Sequence, residues 1–420
     1  MKKMKKMKKM KKMKKIFFIA YGGGHIKMLL PIIKRLKSLD IYDIIVFGLT
    51  TAGSVLDDEG IPYVGFKNFV HFEGYESWSE HGHTLVGPYQ ESKLVSYDES
   101  IAYHGINFLD MIYLYGIDEA KKKYSDMGRQ SFIPTRFFKI LFSYLKPDLV
   151  VSTNSPRSER AAIEAAGIMG IESLCLVDMF ALQEVKWIGK PNYASKICVL
   201  NDSVKAMFIK NGRNGHDIIV TGNPAFDGLF SNDLINKRAE LRAALGVEDY
   251  QCLILYASQP EPRKHPFNEL EGNPLLPRDI EFQLRQIVKD HKNTHLVVRY
   301  HPSENVDFIK EEHVYLSEKS ESLHELLYAV DVVVVTASTV GLEASLIGKH
   351  VISVDCSIFR NDAPFSSMGI SSGIASVNEL REYFNKYLYS FTDISDLCAS
   401  RQLVSATDNV LSVLQKLLGD

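Results

Sequence analysis

Residues 331–354, DVVVVTASTVGLEASLIGKHVISV, decide the fold class. Four valines after Asp331 suit a parallel strand covered on both faces, and the return to VISV supplies a second one. Between them, Thr336 to Thr339 place small hydroxyl residues where the chain turns into a helix, so the stretch reads as a β-α-β unit. The first amides of that helix, from Val340 onward, lack intrahelical acceptors. Together with the macrodipole they make a docking point for a phosphate beside the hydroxyls of Ser338 and Thr339. Glu343 follows one turn later, where a carboxylate can accept hydrogen bonds from two neighbouring hydroxyls such as those of a ribose. Taken alone, the stretch is equally an ordinary β-α-β unit with a capped helix. The residues around it break the tie.

Upstream of it a strand at 252–257, a helix at 279–290, a strand at 295–300 and a helix at 322–328 alternate, preceded by a helix at 232–245. The first half has the same rhythm. Strands are expected at 16–20, 43–48, 148–152, 172–177, 196–200 and 217–220, with helices at 25–39, 137–145, 158–169 and 203–210 and a further candidate strand at 61–65. Such alternation implies parallel sheets, here twice over. The rhythm breaks over 66–130, rich in Tyr, His, Glu and Gly with a helix expected at 106–124; an insertion of this kind usually carries specificity. Near the end, Leu403, Val404, Val410, Leu411, Val413, Leu414, Leu417 and Leu418 approximate one helical face. The expected organisation is therefore α/β: a disordered leader at 1–15, a Rossmann-like domain at 16–224 carrying the insertion 66–130, a second Rossmann-like domain at 225–395, and a C-terminal helix at 396–420.

A chain of 420 residues is long enough for two domains. Ten of the 49 Lys and Arg residues fall within the first fifteen positions, MKKMKKMKKMKKMKK, so the remainder carries −12 where the whole carries −2. A body that acidic argues against nucleic acid as a partner. In the leader a step of three residues turns a helix by about 300°, so its methionines form no single apolar stripe. The functional alternative to a disordered leader is weak attraction to anionic lipid headgroups, a peripheral contact at the inner membrane face. The apolar run at 16–20 is too short for a signal peptide, and the five cysteines show no metal or disulfide spacing, so a cytoplasmic location is expected. His71, His81, His83 and His104 lack matching Cys or carboxylate spacing, and no metal is expected.

Four further features carry chemistry. Tyr21-Gly22-Gly23-Gly24-His25 follows the first strand, where glycines let the backbone turn tightly and approach a ligand. It is not GxGxxG and no acidic residue ends the second strand, which disfavours a nicotinamide cofactor; GxxxxGK[ST] is also absent. Ser258 and Gln259 end the strand at 252–257, with Arg263, Lys264 and His265 close behind. Arg299-Tyr300-His301-Pro302 ends the next strand, where His301 can donate to a phosphate oxygen and Arg299 can lend charge; either is equally read as a satisfied surface residue. Ligands of parallel sheets bind outside the carboxyl ends of the strands, so these groups and the Ser338 turn converge. The fourth feature is Val220 to Asp227, VTGNPAFD, at the domain junction.

With GGGH, VTGNPAFD, RYHPSE and TASTVGLEASLIGKHVI in this order, the chain resembles GT-B glycosyltransferases and their sugar-nucleotide epimerase relatives over most of its length outside 1–15 and 66–130. The HP and Ser-Thr elements are also similar to those of bacterial sialyl- and Kdo-type transferases, which use CMP-sugars. The resemblance implies two Rossmann-like domains facing a cleft, C-terminal helices that cross back, and a donor nucleotide held by the second domain. By that resemblance Ser338 and Thr339 hold phosphate, Glu343 the ribose, and Ser258 and His301 complete the pocket, with Gln259, Arg263, Gly23 and Gly24 alongside. No cofactor is implied; a UDP- or CMP-sugar is the substrate and a glycan or lipid-linked molecule the acceptor.

Glycosyl transfer needs stabilisation of the leaving nucleotide, which helix-end amides, His301 and Arg263 can supply without a metal, and a base for the acceptor hydroxyl if attack is direct. His25 is the first candidate base, and Asp98 and Glu99 on the insertion are the second. His25 is equally read as a packing or phosphate-binding residue. Arg157 or Arg160, in NSPRSER after the strand at 148–152, is a candidate to hold an anionic acceptor, with a solvated helix start as the plainer reading. The expected function is a metal-independent glycosyltransferase of bacterial capsule or lipopolysaccharide biosynthesis. The alternatives are a sugar-nucleotide 2-epimerase of the same fold, disfavoured by the long insertion and the lack of a GTRPE-like start, and a non-catalytic nucleotide-binding assembly protein.

Overall fold

The computed structural model describes residues 13–89, 95–266, 268–388 and 405–419, without the side chains of residues 232 and 235. It contains two compact units, Met1–Ala225 with Val404–Asp420 and Phe226–Leu403.

The sheet of the first unit comprises β1 (Lys14–Ala20), β2 (Tyr42–Gly48), β3 (Leu149–Thr153), β4 (Glu172–Leu176), β5 (Lys196–Val199) and β6 (Ile218–Val220) in the order β2-β1-β3-β4-β5-β6, with every pairing parallel. Ile16 to Ala20 are buried, as a central strand covered on both faces requires. One face carries the helix Gly24–Leu39, which buries Ile26, Leu29, Ile33 and Leu36, and the C-terminal helix Ala406–Leu418, which adds Val410, Leu411 and Leu414 to the same core. The chain thus crosses back to its first unit after completing the second. Asn409 Nδ2 donates to the Thr221 carbonyl at 3.2 Å and fastens that return.

On the other face Phe17 and Phe47 meet Phe66, Phe138 and Phe142 largely edge to face, with centroids 5.1 to 5.9 Å apart. Phe66 opens the insertion, so this segment is rooted in the core. Its helices Trp78–Val86 and Tyr97–Tyr115 touch backbone to backbone. A Cβ on Gly105 would lie 1.9 Å from the Trp78 carbonyl oxygen, and one on Gly82 2.3 Å from that of Ile101.

The second sheet comprises β7 (Cys252–Ala257), β8 (Thr294–Arg299), β9 (Val314–Leu316), β10 (Val332–Val335), β11 (His350–Val354) and β12 (Ser372–Ile374), ordered β12-β11-β10-β7-β8-β9 and again parallel. β7 and β10 are buried along their whole length, with Val332 opposite Ile254 and Val334 opposite Tyr256. Strand order reverses between β1 and β3 in the first sheet and between β7 and β10 in the second. Loops splay apart at the carboxyl ends of strands on such a reversal and leave room for a ligand.

Several expected boundaries move. β1 begins at Lys14, two residues inside the expected leader, because the Lys15 amide donates to Asp148 Oδ2 at 2.7 Å; residues 1–12 of the leader lie outside the described residues. The strand expected at 61–65 reduces to one parallel bridge between Phe47 and Val64. The helix expected at 106–124 is two helices, Tyr97–Tyr115 and Ile117–Met127, divided at Gly116, whose φ of 78° a helix cannot continue through. The expected helix at 396–420 begins at Ala406, and 396–404 lie outside the described residues. Among the described residues no helix is long and apolar enough to cross a membrane.

Candidate functional site

In the second unit the polar groups predicted to bind nucleotide follow β7, β8 and β10. Ser258 comes directly after β7 and is almost fully buried; its amide donates to the Arg299 carbonyl at 2.9 Å. Its hydroxyl is taken up by the protein: Arg278 Nη2 donates to it at 2.8 Å, and it donates to Glu304 Oε1 at 3.0 Å. Glu304 Oε2 in turn accepts the His301 amide at 2.9 Å. Ser258 therefore braces the His301 turn instead of presenting a free hydroxyl. Neither Arg278 nor Glu304 has a role legible in the sequence: Arg278 lies outside every motif, and Glu304, although it ends RYHPSE, shows nothing locally of its tie to Ser258.

His301 is exposed after β8. The Ser303 amide donates to its Nδ1 at 3.2 Å, and the Ser303 hydroxyl lies 2.7 Å from the same nitrogen. An amide can only donate, so Nδ1 is the acceptor and Nε2 of the neutral ring carries the proton. His301 is thus set as an outward donor, the role a phosphate oxygen needs. Arg299 has a different part. Its guanidinium donates to Ser317 Oγ at 2.7 Å and to the carbonyls of Glu318 and Glu321, so it holds the loop after β9.

After β10, Ser338 caps the helix Thr339–Leu346 and accepts the Val340 amide at 3.3 Å, which leaves its hydroxyl proton to donate. Thr339 is exposed at the helix start. Gly341 lets this helix lie close on the sheet, since a Cβ would meet Val335 Cγ2 at 2.8 Å. The Glu343 side chain is 13% exposed and its Oε2 lies 3.4 Å from His324 Nε2, so one oxygen is oriented and the other remains for a ligand. Gln259 Oε1 is buried without a hydrogen-bond partner among the described residues, while Arg263 is exposed. The loop after β7 is tied to the turn after β11, because Glu261 accepts the Ser357 hydroxyl and the Ile358 amide, both at 2.8 Å, and His265 Nε2 sits 2.8 Å from Asp362 Oδ2.

In the first unit Gly23, with φ of 68°, turns the chain from β1 into the helix Gly24–Leu39, and Gly24 is the first helical residue. His25 follows, and its Nδ1 lies 2.7 Å from Thr153 Oγ1 at the end of β3, across the strand-order reversal. Thr153 Oγ1 donates to Glu159 Oε1 at 2.6 Å, and the Tyr21 amide donates to the same oxygen at 3.2 Å. Glu159 is wholly buried. With the Thr153 proton committed to the carboxylate, its oxygen accepts from His25 Nδ1–H, which leaves Nε2 as an unprotonated acceptor. A ring so oriented can take a proton from a substrate hydroxyl. Thr153 and Glu159 escaped the sequence reading; the signal available was a carboxylate in the first turn of a helix after a buried strand.

Asp98 and Glu99, although adjacent, have separate surroundings. Asp98 is exposed in the first turn of the helix Tyr97–Tyr115. Glu99 is buried; its oxygens accept the Phe66 amide at 2.9 Å and the Lys67 amide at 3.1 Å, and burial pushes its carboxyl above the usual range. It pins the start of the insertion to that helix. Arg160 pairs with Glu164, whereas Arg157 lies over the Tyr21 ring at 4.6 Å. His81 and His83 sit on the helix Trp78–Val86, one against Phe108 and the other 3.3 Å from the Tyr97 hydroxyl. Among the described residues no group of three or more His, Cys, Asp or Glu is placed to hold a metal.

The family model described as CDP-glycerol:poly(glycerophosphate) glycerophosphotransferase matches residues 190–349, from the region of β5 through the Ser338 helix. No curated protein sequence matches the chain. Solved structures that are similar include UDP-GlcNAc 2-epimerase of Neisseria meningitidis bound to UDP-GlcNAc, with a TM-score of 0.57, 14% identity and coverage of 96% of this chain and 100% of that one. The S. aureus MnaA structure with UDP scores 0.56 at 13% identity over 97% of both chains. MurG of Acinetobacter baumannii scores 0.56 at 13% identity over 96% of this chain and 99% of its own. At these identities the likeness concerns the fold: two Rossmann-like units in a GT-B-like α/β chain, as the sequence motifs imply.

Proposed function

We propose that this chain is a transferase that takes its donor as a nucleotide conjugate and passes the activated group to a hydroxyl of a glycan or lipid-linked acceptor in surface-polymer synthesis, at the inner face of the membrane. The observation that carries this reading is the placement of the His301 Nε2–H donor and the Ser338–Thr339 helix start after β8 and β10, beside the strand-order reversal of the second sheet. Both are donor groups suited to phosphate, and Glu343 lies one turn further along the same helix, where a ribose would need its acceptor. The second unit thus has the parts to hold a nucleotide conjugate. In glycosyl transfer the acceptor oxygen bonds to the anomeric carbon, its proton passes to a general base, and the bond from that carbon to the phosphate oxygen breaks toward the nucleotide.

A second reading is favoured by the glycerophosphotransferase family match over 190–349. There the donor is a CDP-activated polyol. The acceptor oxygen bonds to the distal phosphorus as its proton passes to a general base, the phosphoanhydride breaks, and CMP leaves. The released nucleotide separates the readings: with a lipid-linked acceptor, UDP from a UDP-sugar supports glycosyl transfer and CMP from CDP-glycerol supports polyol-phosphate transfer. A UDP-sugar isomerised without acceptor would replace both with an epimerase. Binding without turnover of any donor would leave an assembly protein.

A further inference from the structure

A cavity of about 230 Å³ lies wholly within the first unit, apart from the His25–Thr153–Glu159 relay, and reaches the insertion. Arg157, Arg129, Thr51, Tyr103 and His104 are among the residues that line it. Its size suits a ligand smaller than a nucleotide conjugate, since pockets for drug-sized ligands begin at roughly 300 Å³. The charge inside is positive. Among the described residues Arg157 Nε is buried without a hydrogen-bond partner, and no carboxylate forms an ion pair with Arg157 or Arg129. The Arg157 guanidinium carbon sits over the Tyr21 ring, 4.6 Å from the centroid, a cation–π contact that helps to hold the group in place. Glu99, the one carboxylate among the described lining residues, already accepts two backbone amides.

The hydroxyl preference of the cavity follows from His104. Its Nδ1 lies 2.8 Å from the Ser100 carbonyl oxygen, which can only accept, so Nδ1 carries the proton and Nε2 of the neutral ring is an acceptor. Burial keeps this imidazole neutral by pushing its pKa down. Thr50 also lines the cavity with φ of 46°, a left-handed backbone that a β-branched residue adopts only under constraint. An arginine short of an anion, an acceptor for a hydroxyl and a volume of one sugar ring or less describe one class of ligand.

The geometry points to a binding site for a compact hydroxylated anion, a polyol phosphate or a single acidic sugar, in the cavity bounded by Arg157, Arg129 and His104. Only the role of this ligand, as the terminal unit of the acceptor, rests on the transferase reading; the anion site itself does not. The planar guanidinium of Arg157 takes two anionic oxygens, and His104 Nε2 accepts from a ligand hydroxyl.

The test is calorimetric titration of the full chain with sn-glycerol 3-phosphate, glucuronate, inorganic phosphate and uncharged glycerol, repeated on Arg157→Gln and Arg129→Gln, with UDP and CDP titrated alongside. The expected result is that one of the two hydroxylated anions binds, inorganic phosphate binds more weakly and glycerol does not bind. Arg157→Gln should weaken the anion at least tenfold and leave nucleotide affinity unchanged. If Arg157→Gln does not fold, the exposed Arg129 supplies the same comparison with a smaller expected loss. Failure of both hydroxylated anions to bind, or binding equal in wild type and both variants, overturns the site. Loss of nucleotide binding with the anion retained overturns the transferase reading alone.

Discussion

His25 Nδ1 and Thr153 Oγ1 lie 2.7 Å apart and join the helix after β1 to the end of β3 across the point where the first sheet reverses its strand order. The threonine transmits to the histidine the orientation imposed by Glu159, so the imidazole and the carboxylate that sets its tautomer are a strand apart.

Thr153→Val keeps the shape and removes this link. With a donor and acceptor that turn over, kcat should fall by about 10- to 100-fold with little change in donor KM, since a misoriented base loses part of the roughly 10²- to 10⁴-fold that general-base catalysis contributes. An unaltered kcat would leave the threonine a packing residue.

Gly22 is bound by contact, not by conformation. A Cβ there would stand 1.9 Å from Thr51 Oγ1 and 2.7 Å from the Thr51 backbone carbon. Gly22→Ala should therefore destabilise the first unit by about 1–3 kcal/mol, the usual cost of overpacking. Chemical denaturation measures it, and adding Thr51→Ala should restore only part, because the backbone overlap stays.

Asp331 opens the stretch that decides the fold, and its carboxylate holds the second unit together. Arg238 Nη2 donates to Oδ1 at 2.9 Å, while Arg242 Nη1 at 3.0 Å and the Leu253 amide at 2.9 Å donate to Oδ2. Arg242 is itself buried. Asp331→Ala leaves that guanidinium without its buried counter-ion, with only the exposed Asp249 at 3.9 Å, and should cost about 3–5 kcal/mol in urea unfolding.

His295 gives the second unit a pH dependence. Burial, with His313 and Arg242 nearby, pushes its imidazole down to about 4 from the ordinary 6.5. Its Nδ1 lies 3.1 Å from the Tyr315 hydroxyl, and Nε2 is buried without a partner among the described residues. The native chain holds a neutral ring where the unfolded chain takes up a proton, so stability is lost as pH falls from 6.5 toward 4 and is unaffected above that window. Melting temperatures across this range should fall less steeply in His295→Phe than in wild type.

What could be read in the sequence was whatever lies in contiguous pattern. β7 and β10 are unbroken apolar runs and appear where expected, and the C-terminal helix buries Val410, Leu411, Val413, Leu414 and Leu418 on the predicted face. β9 and β12, three residues each, were missed. Relations between distant residues stayed hidden. Nothing local marks Asp331 as the partner of arginines about ninety residues earlier, Ser258 as a brace for Glu304, or Thr153 as the link from Glu159 to His25. The insertion was recognisable by its broken rhythm, but its glycine-tight helix crossing is tertiary contact that no spacing displays.

The most direct measurement is calorimetric titration of the full chain with UDP, CDP, CMP, GDP and ADP, repeated on Glu343→Ala. The account predicts that a pyrimidine nucleotide binds, and that Glu343→Ala weakens it at least tenfold with the melting temperature of the free protein nearly unchanged. Absence of binding by every nucleotide at millimolar concentration, or equal affinity in the variant, would contradict it.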